Sequence, residues 1–66
     1  MFDYSNLWSM LDKKNIKRSH LTYKYGFNPK VVSNMGKNKY VSLKTLDRLC
    51  DIFDCNIEDI ISYVKD

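Results

Sequence analysis

The sequence predicts a single all-α domain, residues 1–66, built from five short helices. Apolar residues recur three or four positions apart in five separate segments, the spacing that places them on one face of a helix. Residues that start or stop helices separate these segments, and no stretch shows the regular alternation of a half-buried strand. A chain of 66 residues can bury only a modest core, so a compact helical architecture suits its length.

The first two predicted helices span residues 4–14 and 18–25. The apolar face of the first is formed by Tyr4, Leu7, Trp8 and Leu11. Asp3 stands just before this helix, where its carboxylate can accept hydrogen bonds from the free amides of the first turn. The second helix is expected to stop at Gly26, because glycine adopts the left-handed conformation without steric penalty.

The third helix is predicted at residues 29–35, and Asn28 and Pro29 mark its start. Asparagine caps free amides, and proline at the first helical position gives up no hydrogen bond and has its φ already set. Gly36 is expected to end this helix. Two short helices joined by a tight turn that begins at Gly26 form the helix-turn-helix pattern.

The fourth and fifth helices are predicted at residues 43–53 and 57–64. Ser42 is placed to cap the fourth, and Asn56 with Asp59 is placed to form a capping pair at the start of the fifth. The inward positions of the fourth are Leu43, Leu46, Leu49, Cys50 and Phe53. Those of the fifth are Ile57, Ile60, Ile61 and Val64. This last face could close the core of a monomer or contact a partner.

Charge is distributed unevenly along the chain. The net charge is +3, yet residues 13–48 contain ten Lys or Arg and one acid, whereas residues 49–66 contain five acids and one base. A cationic block of this kind is either a solvated surface or a binding face for a polyanion. Its arrangement on the fold decides between the two.

Several classes of site are not predicted. The longest apolar runs are too short to span a membrane, and the first residues, MFDYSN, lack the features of a secretory signal, so we expect a cytoplasmic protein with no membrane partner. Cys50 and Cys55 fit neither a redox motif nor a zinc cluster and are expected to be free thiols. His20 has no partnered nucleophile or acid, and Gly36-Lys37 lacks the remainder of a phosphate-binding loop. We therefore predict no catalytic residues, metal or cofactor.

The chain resembles the small, single-domain members of the lambda-repressor-like helix-turn-helix family, also called Cro/CI-type or xenobiotic-response-element regulators. The features that carry the resemblance are Leu21, Gly26 with apolar Phe27, GKN at residues 36–38 and the run from VSLKTL to DC at residues 41–55. The resemblance covers about residues 4–64. It implies a compact five-helix DNA-binding domain whose second and third helices form the helix-turn-helix, usually a transcriptional regulator and usually a dimer.

The resemblance also implies which residues read bases. In the family, the second helix of the motif enters the major groove with its N-terminal residues toward base edges. The matching residues are Pro29, Lys30, Ser33 and Asn34. Lys30 can donate to guanine O6 and N7, and Asn34 can pair with adenine. Pro29 can offer only apolar contact, for instance to a thymine methyl, and Ser33 could reach either a base or a phosphate.

Phosphate contacts are implied at the start of the first helix of the motif and just after the reading helix. The matching residues are Lys17, Arg18, Ser19, Lys37, Asn38 and Lys39. The chain departs from the family at Lys17, where many relatives carry a Ser or Thr cap, and at His20, where they carry an acid. Tyr23 and Tyr40 could stack on nucleic acid or pack against the protein, whereas the spacing of Tyr25 favours packing.

Two functional hypotheses remain. The first is a sequence-specific regulator that binds double-stranded DNA, represses a small operon or a mobile element, and forms a possible homodimer through Ile61, Tyr63 and Val64. The second is a protein-binding module that keeps the fold and modulates another regulator. The cationic block favours the first, because a protein-binding derivative has no need of so many basic residues around one face.

Overall fold

A computed structural model describes residues 1–65. In this part of the chain four α-helices follow one another, and they are α1 (Ser5–Lys13), α2 (Arg18–Tyr23), α3 (Pro29–Gly36) and α4 (Leu43–Phe53). The all-α helix-turn-helix prediction is confirmed, and these helices begin and end within two residues of their predicted bounds. The longest, α4, has 11 residues. None of the helices in the described range combines the length and the apolar character needed to cross a membrane.

At three helix starts the expected side chain accepts a hydrogen bond from a free amide of the first turn. The Asn28 Oδ1 accepts from the Lys30 amide at 2.8 Å, and the Ser42 Oγ accepts from the Thr45 amide at 3.2 Å. At α1, the Asp3 carboxylate accepts from both the hydroxyl and the amide of Ser5. These two hydrogen bonds, the hydroxyl first, hold the pKa of the Asp3 carboxyl below its ordinary value.

The fifth predicted helix, residues 57–64, is wrong beyond its first turn. Ile57–Asp59 forms a single 3₁₀ turn, opened as expected by a hydrogen bond of 3.0 Å from the Asn56 amide to the Asp59 carboxylate. The chain then extends, and strand β2 (Ser62–Tyr63) pairs antiparallel with strand β1 (Phe2–Asp3). The segment IISYV, residues 60–64, is rich in β-branched and aromatic residues, which favour strands. As a strand, its backbone can also form hydrogen bonds with the backbone of β1.

The core consists of buried side chains from all four helices and from residues that flank them or the 3₁₀ turn. Its members are Tyr4, Leu7, Leu11, Leu21, Phe27, Met35, Leu46, Leu49 and Ile60. Leu43, predicted to face inward, is instead 78% exposed. As the first residue of α4 it projects past the packed part of the helix, and Leu46 is the first side chain of that stripe to reach the core. Cys50 and Cys55 are half-buried free thiols, as predicted.

Candidate nucleic-acid interface

The turn between α2 and α3 has the features expected of a helix-turn-helix. Gly26 takes a left-handed φ of +78°, the conformation that glycine tolerates best. Its amide donates to the Thr22 carbonyl at 3.1 Å, and the Phe27 amide donates to the Leu21 carbonyl at 2.8 Å. Leu21 and Phe27 are both buried. The turn is therefore fixed by backbone bonds on one side and by apolar packing on the other.

Arg48 supports the same turn from α4. Its guanidinium donates to the Tyr25 carbonyl at 3.0 Å and lies 4.3 Å from the centre of the Phe27 ring. The Tyr25 ring packs edge-on against Phe53 at 5.4 Å, which confirms the packing role predicted for that tyrosine. Sequence reasoning missed Arg48, since nothing in the linear pattern links a basic residue of α4 to a turn more than twenty positions earlier.

The four residues predicted to read bases all lie on α3. Pro29 and Lys30 occupy its first turn, and Ser33 and Asn34 follow one turn later on the same side as Lys30. Pro29, Lys30 and Ser33 are exposed, and Asn34 is half-buried. The buried face of α3 carries Met35 instead. One side of this helix thus offers an ammonium, a hydroxyl and an amide to an external partner.

The start of α2 presents three exposed residues, Lys17, Arg18 and Ser19. Lys17 occupies the N-cap position, but its side chain has no acceptor with which to cap the helix. The His20 Nδ1 accepts instead from the Lys17 amide at 3.0 Å. The backbone amide at the N-cap position therefore has a partner, even though the usual Ser or Thr cap is absent.

Arg18 is held between α1 and the end of α3. Its guanidinium lies 3.9 Å from the centre of the Trp8 ring, a stacked cation–π arrangement. A methyl group placed on Gly36 would come within 3.2 Å of the Arg18 Nη1. Trp8 was predicted to be a core residue, yet it is only half-buried and also acts as a platform for this arginine.

The loop after α3 is called the basic loop here and comprises residues 37–40. Lys37 and Lys39 are exposed. Asn38 is half-buried, has a left-handed φ of +56°, and accepts from the Tyr4 amide at 3.3 Å through its Oδ1. The two lysines can therefore meet an external anion, whereas one end of the Asn38 side chain is already used inside the protein.

Tyr23 and Tyr40, whose roles the sequence left open, are both largely exposed. Tyr23 is 71% and Tyr40 is 77% exposed. Each ring still has one edge-on aromatic neighbour, His20 at 5.3 Å for Tyr23 and Phe2 at 6.2 Å for Tyr40. Neither ring is a core residue, and both remain accessible to a partner.

A family model for the Cro/C1-type helix-turn-helix DNA-binding domain matches residues 6–66. The chain belongs to this Cro/C1-type family. Among solved structures, the crystal structure of the transcriptional regulator VanUg in its Form II is similar, with a TM-score of 0.91 and 29% sequence identity over 98% of this chain and 87% of that chain. No curated protein sequence matches at a significant level.

Membership of the Cro/C1-type family confirms the resemblance drawn from Leu21, Gly26 and the GKN and VSLKTL segments. The family defines the ligand class, which is double-stranded DNA, and identifies α2 and α3 as the helix-turn-helix. In this Cro/C1-type domain the exposed side of α3 lies between two basic regions along the chain, the start of α2 and the basic loop. Arg18 starts α2 and lies against the last residue of α3, from which the basic loop continues.

Proposed function

We propose that this Cro/C1-type domain binds double-stranded DNA in a sequence-specific manner and represses transcription of a small operon or a mobile element. It acts by occupying a promoter so that polymerase cannot. One observation carries the proposal: α3 exposes a row of polar side chains, with exposed cations before it on α2 and after it in the basic loop. The similarity to VanUg, a transcriptional regulator, supports the regulatory role.

Base reading is assigned to Pro29, Lys30, Ser33 and Asn34. Lys30 extends from the first turn of α3, the part of such a helix that meets base edges, and its ammonium can donate to guanine O6 and N7. Asn34 can pair with adenine through its amide. Pro29 offers apolar contact to a thymine methyl, and Ser33 adds one short donor that suits either a base or a phosphate.

Phosphate binding is assigned to Lys17, Arg18, Ser19, Lys37, Asn38 and Lys39. Among these residues Arg18 has a side chain that is already oriented, because stacking on Trp8 restricts its guanidinium while the residue stays exposed. A planar fork held in this way suits a phosphate better than a freely rotating chain does. Asn38 can contribute only its amide nitrogen, since its oxygen binds the Tyr4 amide.

Selection of bound duplexes from a random DNA pool, at a stated salt concentration, tests this function directly. We expect a defined half-site, recovered twice at a spacing of about 34 Å or a multiple of it. Recovery of random sequence only would argue against base reading. If the protein bound no duplex, the protein-binding alternative would lead, and the exposed apolar groove described below would be its interaction surface.

Replacing Lys30 with methionine is expected to relax sequence preference. The change keeps the aliphatic stem and removes the donor, so discrimination at one base pair should fall by about 1 to 3 kcal/mol. Binding of the selected duplex and of single-base variants, measured by fluorescence anisotropy, checks this. Lys13→Met is the matched control, because Lys13 is exposed at the end of α1 and lies outside the assigned set. An unchanged preference profile for the Lys30 variant would remove Lys30 from the reading face.

We also propose that the protein forms a homodimer, which would place two reading helices on two half-sites. The predicted contacts Ile61, Tyr63 and Val64 lie in strand β2 or directly beside it in sequence. Tyr63 is 65% and Val64 is 41% exposed. Ile61 lines an open apolar groove of about 270 Å³ together with Phe2, Tyr4, Tyr40, Val41, Leu43, Leu46 and Ile57. An exposed apolar surface of this kind is typical of an interaction site.

Sedimentation of the free protein across a concentration series tests the dimer. We expect a shift from monomer to dimer by high micromolar concentration, and Leu43→Ser should weaken that shift because it places a hydroxyl in the groove. Lys13→Ser is the control on a different helix. Monomer alone at every concentration, for the unaltered protein, would contradict self-association in the absence of DNA.

A further inference from the structure

Tyr4 connects the start of the chain to the basic loop by two hydrogen bonds. Its amide donates to the Asn38 Oδ1 at 3.3 Å, and its hydroxyl donates to the Lys39 carbonyl at 2.9 Å. The residues joined are 34 and 35 positions apart in sequence. Tyr4 itself is 2% exposed. A buried side chain therefore holds the backbone of a loop whose lysines point into solvent.

The two sides of the basic loop are held in different ways. Next to α3, the amides of Lys37 and Lys39 both donate to the Asn34 carbonyl, at 3.1 and 2.9 Å, so the loop begins as a continuation of the helix end. The carbonyl of Lys39 faces the other way and binds the Tyr4 hydroxyl. Beyond it Tyr40 is largely exposed and adds little packing. Tyr4 thus supplies hydrogen bonds to the far side of the loop, beside the packing of Val41 against the core.

Packing alone does not account for a tyrosine at this position. Tyr4 lies on the apolar face shared with Leu7 and Leu11, and a phenylalanine would fill the same volume. Burial raises the pKa of the Tyr4 phenol above its ordinary value of 10.0, although the Val41 amide partly offsets this effect. The hydroxyl consequently remains a neutral donor over the usual pH range, and its partner is the loop backbone.

We propose that Tyr4 is a positioning residue for DNA binding, which orients Lys37 and Lys39 toward phosphate by clamping the basic loop to the N-terminal segment. The inference rests on the DNA-binding function proposed above. A loop fixed before binding loses less conformational freedom when its lysines contact DNA. Because phosphate contacts carry no sequence information, the clamp should increase affinity for every duplex equally.

Tyr4→Phe removes one hydrogen bond and keeps the ring, so the domain should stay folded. We expect affinity to fall about two- to tenfold, the range of one net hydrogen bond, for both the selected duplex and a scrambled one. The ratio of the two affinities should not change. In the free protein, backbone amides of residues 38–41 should exchange with solvent faster than in the unaltered protein. Anisotropy titrations, amide exchange by NMR and a thermal melt supply the three measurements.

Ser9→Ala is the matched control, because it also removes one hydroxyl, from an exposed residue of α1 that lies outside every assigned set. Asn38→Gly is a second variant, since glycine tolerates the left-handed φ while removing the acceptor for the Tyr4 amide. It should reproduce the faster exchange, which is the readout for this variant because Asn38 is itself assigned to phosphate binding, whereas the control should show neither faster exchange nor a loss of affinity.

The possible failures are distinct. If the unaltered protein binds duplex and Tyr4→Phe binds equally well, the positioning role is overturned while the proposed function stands. If the melting temperature and the affinity both fall while amide exchange in the loop is unchanged, Tyr4 contributes to stability and does not position the loop. If the unaltered protein binds no duplex, the proposed function itself fails, and with it the role of the clamp in DNA binding.

Discussion

Replacing Leu49 with alanine is expected to destabilise the domain by about 2 to 5 kcal/mol, the usual cost of truncating a buried leucine. Leu49 is fully buried in the second turn of α4, in the cluster that α1, α2 and α3 also enter. Domains of this size have small net stabilities, so a loss in this range is a large fraction of the total. Urea unfolding followed by circular dichroism measures the change in the free energy of unfolding.

Leu43→Ala is the matched control for this prediction. It makes the same chemical change on the same helix, but Leu43 is 78% exposed, so the free energy of unfolding should change by no more than about 0.5 kcal/mol. The two free energies of unfolding should be measured at a protein concentration too low for self-association, because Leu43 also lines the apolar groove. Equal losses from the two variants would mean that α4 packs by a different face from the one described.

Replacing Lys37 and Lys39 together with glutamine is expected to weaken binding to every duplex. Each lysine that neutralises a phosphate contributes about 0.9 to the slope of log affinity against log salt, so removing two should lower that slope by roughly 1.8. At low salt this corresponds to an affinity loss on the order of ten- to a hundredfold. Preference among sequences should be retained, because phosphate contacts position the protein without specifying sequence.

The matched control changes Lys13 and Lys14 to glutamine. These residues are exposed at and just after the end of α1, and the double change lowers the net charge from +3 to +1 as the loop double change does. If both variants had the same salt slope, binding would depend on total charge alone. A smaller slope for the loop variant only would locate phosphate binding at the basic loop.

The helix-turn-helix and α4 could be predicted from sequence because local signals there agree with the fold. Asn28-Pro29 starts α3, Gly26 forms the turn before it, and Ser42 caps α4, each by a mechanism that needs only neighbouring residues. The side of α3 that carries Lys30, Ser33 and Asn34 was implied by the family resemblance. These segments fold as their own sequence dictates, so reading them required no knowledge of the rest of the chain.

The C-terminal segment could not be predicted in this way. Ile57, Ile60, Ile61 and Val64 have helical spacing, but short apolar runs fit a strand as well. The deciding interaction is remote: the Met1 and Val64 backbones exchange hydrogen bonds of 2.7 and 2.8 Å across the length of the chain. The platform under Arg18 and the clamp from Tyr4 were missed for the same reason, since each joins side chains that only the folded chain brings together.

The pairing of β1 with β2 has a consequence for the order of folding. Closing a loop between segments about sixty residues apart carries a larger entropy cost than any helix-helix contact in this domain, so local helices and their packing should form before the ends of the chain meet. Tyr4 follows directly on β1 and depends on the same late step. A partly folded chain can therefore already contain the helix-turn-helix while the basic loop is not yet held by Tyr4. Full affinity for DNA would then be reached last, when β1 pairs with β2.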